Sequence, residues 1–261
     1  MKLFKTALIT GASSGIGLEL AKIHATKGHN LVLVARSKAK LDKLKTALEK
    51  QHGIFVYTIK KDLAVENAAK EVYDEIKKQK IQIEYLINNA GFGDYGMFCD
   101  TKWKKESKMI SLNTMALTQF CKLFLKDMIK QGSGKIMNVA STAAFQPGPG
   151  MAVYFATKAY VLHFSEAINN EIENKAITVT ALCPGATESG FQAAASMEDS
   201  NLVKGKKLPT AETVAQYGYK AMMKGKAVAI HGLKNYLLVG TVRFTPRALV
   251  VKIVRWMNKA S

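Results

Sequence analysis

Along most of the chain, short runs of continuous apolar residues alternate with longer stretches in which apolar positions recur every three or four residues. The runs are "KTALIT", "NLVLVA", "IFVYTIK", "IEYLINN", "GKIMNVA", "ITVTALCP" and "AVAIHG". Short and continuously apolar, they read as strands buried on both faces. The intervening stretches, at 16–27, 38–51, 65–78, 103–130, 151–173 and 211–224, read as amphipathic helices. This alternation predicts a parallel sheet, and right-handed crossovers place helices on both of its faces. The expected architecture is one doubly wound Rossmann domain of the α/β class over 1–261, without linker or internal repeat. A small-residue and polar stretch at 188–210 interrupts the pattern and is expected to be a lid. The segment 233–261 is basic and amphipathic, with Thr245 as a helix cap and Pro246 in the first turn.

Composition changes this picture little. Apolar residues make up 48% and charged residues 22% of the 261, as in ordinary soluble globular chains. No apolar run approaches the ~18 residues of a membrane-spanning helix. "MKLFKTALITG" reads as a first strand, not a signal peptide. Three scattered cysteines (Cys99, Cys121, Cys183) are expected to be reduced thiols of a cytoplasmic protein. The five histidines form no ligand spacing, so no metal site is expected. The net charge of +18 is uneven: from Val203 onward there are twelve Lys/Arg and one acidic residue, Glu212. Such a field is compatible with an anionic substrate, a lipid surface or nucleic acid. The expected reading is a solvated basic surface with no nucleic-acid partner.

Candidate chemistry begins where the first strand runs into "TGASSGIG", residues 10–17. Gly11, Gly15 and Gly17 allow a sharp turn and close approach of the backbone to a pyrophosphate. Ser13, Ser14 and Ile16 complete the loop, and the next helix offers free N–H groups to the anion. A carboxylate ending the second strand would bind a ribose hydroxyl; here "LVLVARS" places Arg36 and Ser37 instead. A guanidinium suits a phosphate, which favours NADP(H). Farther on come "NNAG" at 88–91, Ser141 in "VAST", "YFATK" at 154–158 and "PG" at 184–185. Tyr154 and Lys158, four residues apart on a helix, share one face.

In this order and at these distances the motifs resemble the short-chain dehydrogenase/reductase family over residues 5 to about 232. The fuller string, "TGASSGIGLELAK…LVLVARS…NNAGFG…STAAFQPGP…YFATKAY", is similar to its bacterial ketoacyl-reductase-like subgroup. The resemblance implies NADPH-dependent, reversible reduction of a ketone or aldehyde, β-ketoacyl groups included. By the same resemblance Tyr154 is the general acid, Lys158 with the charge of the oxidised nicotinamide lowers its pKa and also holds the nicotinamide ribose, and Ser141 orients the substrate oxygen. Asn113, in "SLNTMAL", matches an asparagine that holds a relay water. Asp62 with Leu63 matches the adenine contact; Asn89, Ala90 and Gly91 lie under the adenosine and ribose. Pro184, Gly185 and Thr187 match the loop at the nicotinamide. Phe92, Phe145, Met151 and Phe191 are candidates to line a pocket for a small hydrophobic carbonyl or alcohol. The family also implies a homodimer or homotetramer built on the helices near 103–130 and 151–173.

Two features depart from the family pattern. Some NADP-preferring members carry a basic residue where this chain has Ser14, so the phosphate preference rests mainly on Arg36. The C-terminal helix is compatible with a membrane interface, a subunit interface or a cover over the protein's own core; at most weak lipid contact is expected. A reading of another class is an idle Rossmann scaffold that binds a membrane surface or nucleic acid through its basic C-terminal third. The complete set Asn113, Ser141, Tyr154 and Lys158 argues for the enzyme.

Overall fold

The computed structural model describes residues 5–191, 195, 200–201 and 204–259. Seven strands form one parallel sheet: β1 (Thr6–Thr10), β2 (Asn30–Ala35), β3 (Val56–Lys60), β4 (Tyr85–Asn88), β5 (Gly134–Val139), β6 (Ile177–Cys183) and β7 (Val228–Ile230). Their order is β3-β2-β1-β4-β5-β6-β7. The winding reverses between β1 and β4, where doubly wound sheets open a crevice beyond the strand C-termini.

Register sorts the core into two layers. Leu8 pairs with Val32 and Leu86, and Leu86 with Ile136. These side chains point to one face, under α3 (Ala68–Lys78), α5 (Leu117–Gln131) and α6 (Ala152–Glu171). Ile9 pairs with Leu33 and Ile87 and points to the other, under α1 (Gly15–Thr26), α2 (Lys38–His52) and α7 (Ala211–Met223). Each such side chain is fully buried, contributing roughly 1.5–3 kcal/mol.

The expected elements form, with four corrections. The helix expected from Val65 starts at Ala68, because Asn67 takes a left-handed conformation (φ 60°) and Asp62 turns the chain by accepting from the Ala64 N–H at 3.1 Å. The single helix expected over 103–130 is α4 (Trp103–Ile110) and α5 joined by a π-helical turn, Ser111–Ala116. A helix absent from the sequence reading, α8 (Leu233–Val242), precedes α9 (Arg247–Asn258). Thr245 does not cap α9: its hydroxyl donates back to Thr241 O at 2.8 Å, and Pro246 occupies the cap position.

α9 buries Val250 and Val254 in a third apolar cluster that includes Met109, Met151 and Tyr154. It covers the protein's own core, one of the three roles expected of it. Of the lid at 188–210, residues 192–194, 196–199 and 202–203 lie outside the described residues. A parallel bridge between Glu188 and Thr210 closes its base.

Candidate active site

The glycine loop leaves β1 at the switch point. Gly11 (φ +67°) and Gly15 (φ +54°) adopt backbone conformations that side chains disfavour. A Cβ on Gly17 would lie 2.5 Å from Gly11 O and collide with Asn89 Nδ2; one on Gly11 would lie 2.8 Å from that same nitrogen. Asn89 holds the loop directly, donating to Thr10 O at 2.9 Å and Gly11 O at 3.3 Å. Thr10 Oγ1 in turn accepts from the Asn89 and Ala90 N–H groups, each at 3.0 Å. Sequence reasoning missed Thr10, whose signal is a hydroxyl as the last strand residue before the loop. Ser14 sits at the α1 cap without using its side chain, and no acid occupies the first turn. This bare, backbone-lined helix start fits a pyrophosphate.

At the adenosine end the candidates divide. Arg36 is exposed just beyond β2 and, among the described residues, pairs with no carboxylate. It is therefore free to meet a phosphate. The Ser37 hydroxyl caps α2, accepting from Lys40 N at 3.5 Å. Asp62 shapes its turn, and Leu63 is buried in the core.

Beyond β5 and on α6, three of the expected catalytic side chains converge. Ser141 precedes a short 3-10 turn, Thr142–Phe145; its Oγ accepts from Ala143 N at 3.1 Å and donates to Pro184 O at 3.4 Å. Tyr154 and Lys158 are both buried on one side of α6, with Nζ 5.8 Å from the phenol ring centre. Lys158 donates to Val139 O at 2.7 Å. Burial pushes the Tyr154 phenol up to about 12, opposed only in part by a hydrogen bond with Ser141. Burial also pushes Lys158 down to about 8. The lowering expected of Tyr154 involves both Lys158 and the charge of an oxidised nicotinamide; the chain by itself favours the neutral phenol, because desolvation outweighs the Ser141 hydrogen bond.

Asn113 lies in the π-helical turn and is buried. Its amide donates to Phe92 O at 3.0 Å and Thr157 Oγ1 at 3.1 Å, while its Oδ1 accepts from Phe92 N at 3.2 Å. Thr157 Oγ1 donates to Tyr154 O at 2.7 Å. Asn113 and Thr157 therefore tie the segment after "NNAG" to the helix carrying Tyr154. Thr157 was not singled out from the sequence, although it stands inside "YFATK". A Cβ on Gly91 would lie 3.0 Å from Asn113 Oδ1 and 3.6 Å from Lys158 Nζ, so only a glycine passes between them comfortably.

On the substrate side, a Cβ at Gly93 would meet Phe191 at 2.8 Å, Met151 at 3.1 Å and Tyr154 at 3.3 Å. Met151 and Phe191, with Phe92, gather around Tyr154; the Phe191 and Tyr154 ring centres are 5.3 Å apart. Phe145 does not join them: it packs against the core beneath α5 and α6. Gly185 is covered by Asn235 of α8, whose Nδ2 would be 2.5 Å from an added Cβ. The Thr187 hydroxyl donates to Gly185 O at 2.9 Å. Among the described residues no group of three or more His, Cys, Asp or Glu could hold a metal ion.

Residues 5–200 match the profile of the short chain dehydrogenase family. Among curated proteins, the very-long-chain 3-oxoacyl-CoA reductase of Anas platyrhynchos is 32% identical over 184 residues, 68% of this chain and 58% of that protein. The match to that relative thus spans less than two thirds of its length. The Homo sapiens protein of that name is 28% identical over 262 residues, 98% of this chain and 80% of the relative. Among solved structures, a short-chain dehydrogenase from Sphingobium yanoikuyae in complex with NADPH superposes with a TM-score of 0.82. It is 32% identical and covers 92% of this chain and 94% of its own. The bulky-bulky ketone specific alcohol dehydrogenase from Comamonas testosteroni gives 0.78 at 31% identity, covering 92% of each chain.

Proposed function

This chain belongs to the short-chain dehydrogenase family, and we propose that it is an NADPH-dependent reductase of hydrophobic ketones, β-ketoacyl groups among them. The observation that carries the reading is the convergence of Ser141, Tyr154 and Lys158 beside a glycine cradle that excludes side chains. Similarity to a structure in complex with NADPH, to a bulky-ketone dehydrogenase and to 3-oxoacyl-CoA reductases supports the cofactor and the substrate class.

Gly11, Gly15, Gly17 and the α1 N-terminus would hold the pyrophosphate, Arg36 the 2′-phosphate, and Lys158 with the 184–187 loop the nicotinamide end. When bound, the cofactor supplies a hydride and becomes positively charged. Tyr154, kept neutral by burial, donates its phenolic proton to the carbonyl oxygen as that oxygen gains charge. Ser141 holds the same oxygen in line. Lys158, a buried cation next to the ring, offsets the charge left on the phenolate. Asn113 and Thr157 keep these groups in register, and Met151 and Phe191 exclude water.

Exposed Met115 and Tyr160, on the helices expected to meet across a two-fold axis, support a homodimer or homotetramer. Two buried cysteines and one exposed, all free, suit the reducing cytoplasm. A panel of ketones and β-ketoacyl thioesters, followed by NADPH oxidation, tests the function. Turnover of several apolar ketones with NADPH, and far less with NADH, is expected. Tight NADPH binding with no turnover across the panel would refute it.

A further inference from the structure

We propose that α8 and α9 form a docking surface for an anionic lipid interface. The observations are independent of the catalytic reading. Seventeen large apolar residues are exposed among the described ones, and eight of them fall in 233–256. In α8, Leu233, Tyr236 and Leu237 stand on one side, continued by Phe244 just beyond the helix; Phe244 is 90% exposed. No residue of α8 is buried. A ten-residue helix of that kind gains little from its own core and is marginal in water alone.

α9 is divided into three stripes. Val250 and Val254 point into the core, Leu249, Ile253 and Trp256 are exposed, and Lys252, Arg255 and Lys259 run along a third side. Apolar and aromatic residues beside a cationic stripe characterise helices that lie in a bilayer interface. Counting Lys234, Arg243 and Arg247, six exposed cations flank these apolar faces, and none pairs with a carboxylate among the described residues. The sequence has no Asp or Glu after Glu212. This charge decides the occupant. A second copy placed across a two-fold axis would set the same cations against each other, whereas an anionic headgroup layer neutralises them. No helix among the described residues is long and apolar enough to cross a membrane, so the contact is peripheral. Because the inward side of α9 packs with Met151 and Tyr154, docking would bring the apolar side of the cleft close to the lipid.

Flotation of the intact protein with phosphatidylcholine vesicles, with and without phosphatidylglycerol, at low and high salt, tests this. Binding is expected on the phosphatidylglycerol vesicles, weakening in high salt and by about fivefold for each cation removed. Lys252→Glu/Arg255→Glu/Lys259→Glu should abolish flotation, and Phe244→Ser/Trp256→Ser should weaken it, both with unchanged thermal melts and ketone turnover. The inference is overturned if wild type fails to float at low salt, or if flotation ignores both sets of substitutions. It is equally overturned if either set converts an oligomer in solution to monomers, which would make this face a subunit contact.

Discussion

At the β1 end of the cleft the walls are backbone, and at the α6 end they are side chains. The glycine loop packs so closely on Asn89 that neither Gly11 nor Gly17 has room for a Cβ. Around Tyr154 the neighbours are Met109, Met151, Phe155 and Phe191, large groups, two of them flexible thioethers that adapt to different shapes. A surface made of backbone can fit one partner, and many substitutions break it. A surface made of Met and Phe can be recut one residue at a time without loss of the fold. The cofactor is therefore the fixed partner in this architecture, and the substrate the adjustable one.

The sharpest cut between the two ends is Tyr154→Phe. It removes one hydroxyl where the halves meet and should lower kcat about a hundred- to ten-thousandfold, the usual worth of general acid catalysis. NADPH affinity, measured by fluorescence titration, should stay within about twofold. A matching loss of affinity would mean that the phenol belongs to the cofactor end.

Gly17→Ala tests the backbone wall. Overpacking against Asn89 and Gly11 O should cost roughly 1–3 kcal/mol, read as a lower melting temperature and NADPH affinity weaker by about tenfold or more. Gly190→Ala is the control, since among the described residues nothing lies within 4 Å of its added Cβ; equal effects would show that the tight contact is immaterial. Arg36→Ala should reduce the preference for NADPH over NADH by about ten- to a hundredfold and leave NADH binding alone. An unchanged ratio assigns the phosphate to other groups.

The pH dependence follows from Lys158. Its pKa without ligand lies near 8, and an ammonium that donates to a bound ribose has a higher one. Affinity for NADPH should thus be fully present below about pH 8 and fall as pH rises, by up to about tenfold per pH unit. Lys158→Met should bind NADPH weakly with a flat profile over the same range. The smallest effect belongs to the adjustable wall. Met151→Leu conserves volume, so stability should change by less than about 1.5 kcal/mol. The kcat/KM ratio between a bulky and a small ketone should still move by a few-fold to about tenfold.

The same contrast explains what the sequence made legible. Glycines forced by contact and the Tyr154–Lys158 spacing are properties of the chain itself, and the apolar runs gave all seven strands. What eluded it arises between elements. The residues "SLNTMA" suit an ordinary helix, and apolar periodicity does not encode a wider hydrogen-bonded turn. The inward side of α8 is narrow, Asn235, Val239 and Val242, none of them fully buried, and apolar residues on its exposed sides mask the periodicity. Burial around Tyr154 is tertiary, so the sense of its pKa shift was not readable from a lysine four residues away. Phe145, expected with Phe92, Met151 and Phe191 at the pocket, is instead turned by the 3-10 turn after Ser141 to pack, half-buried, against the core.

The wide turn at Ser111–Ala116 also constrains how this gene can change. Each helical residue turns the chain by about 100°, so the surplus residue sets the phase between α4 and α5. Loss of one codon there would restore regular hydrogen bonding and make a better helix. It would also rotate one half against the other, so that either Asn113 leaves Phe92 or Phe120 and Phe124 leave the core. Point substitutions cannot remove the extra residue, and a deletion must disturb the site or the core at once. The irregularity is held in place by what flanks it, the site on one side and the core on the other.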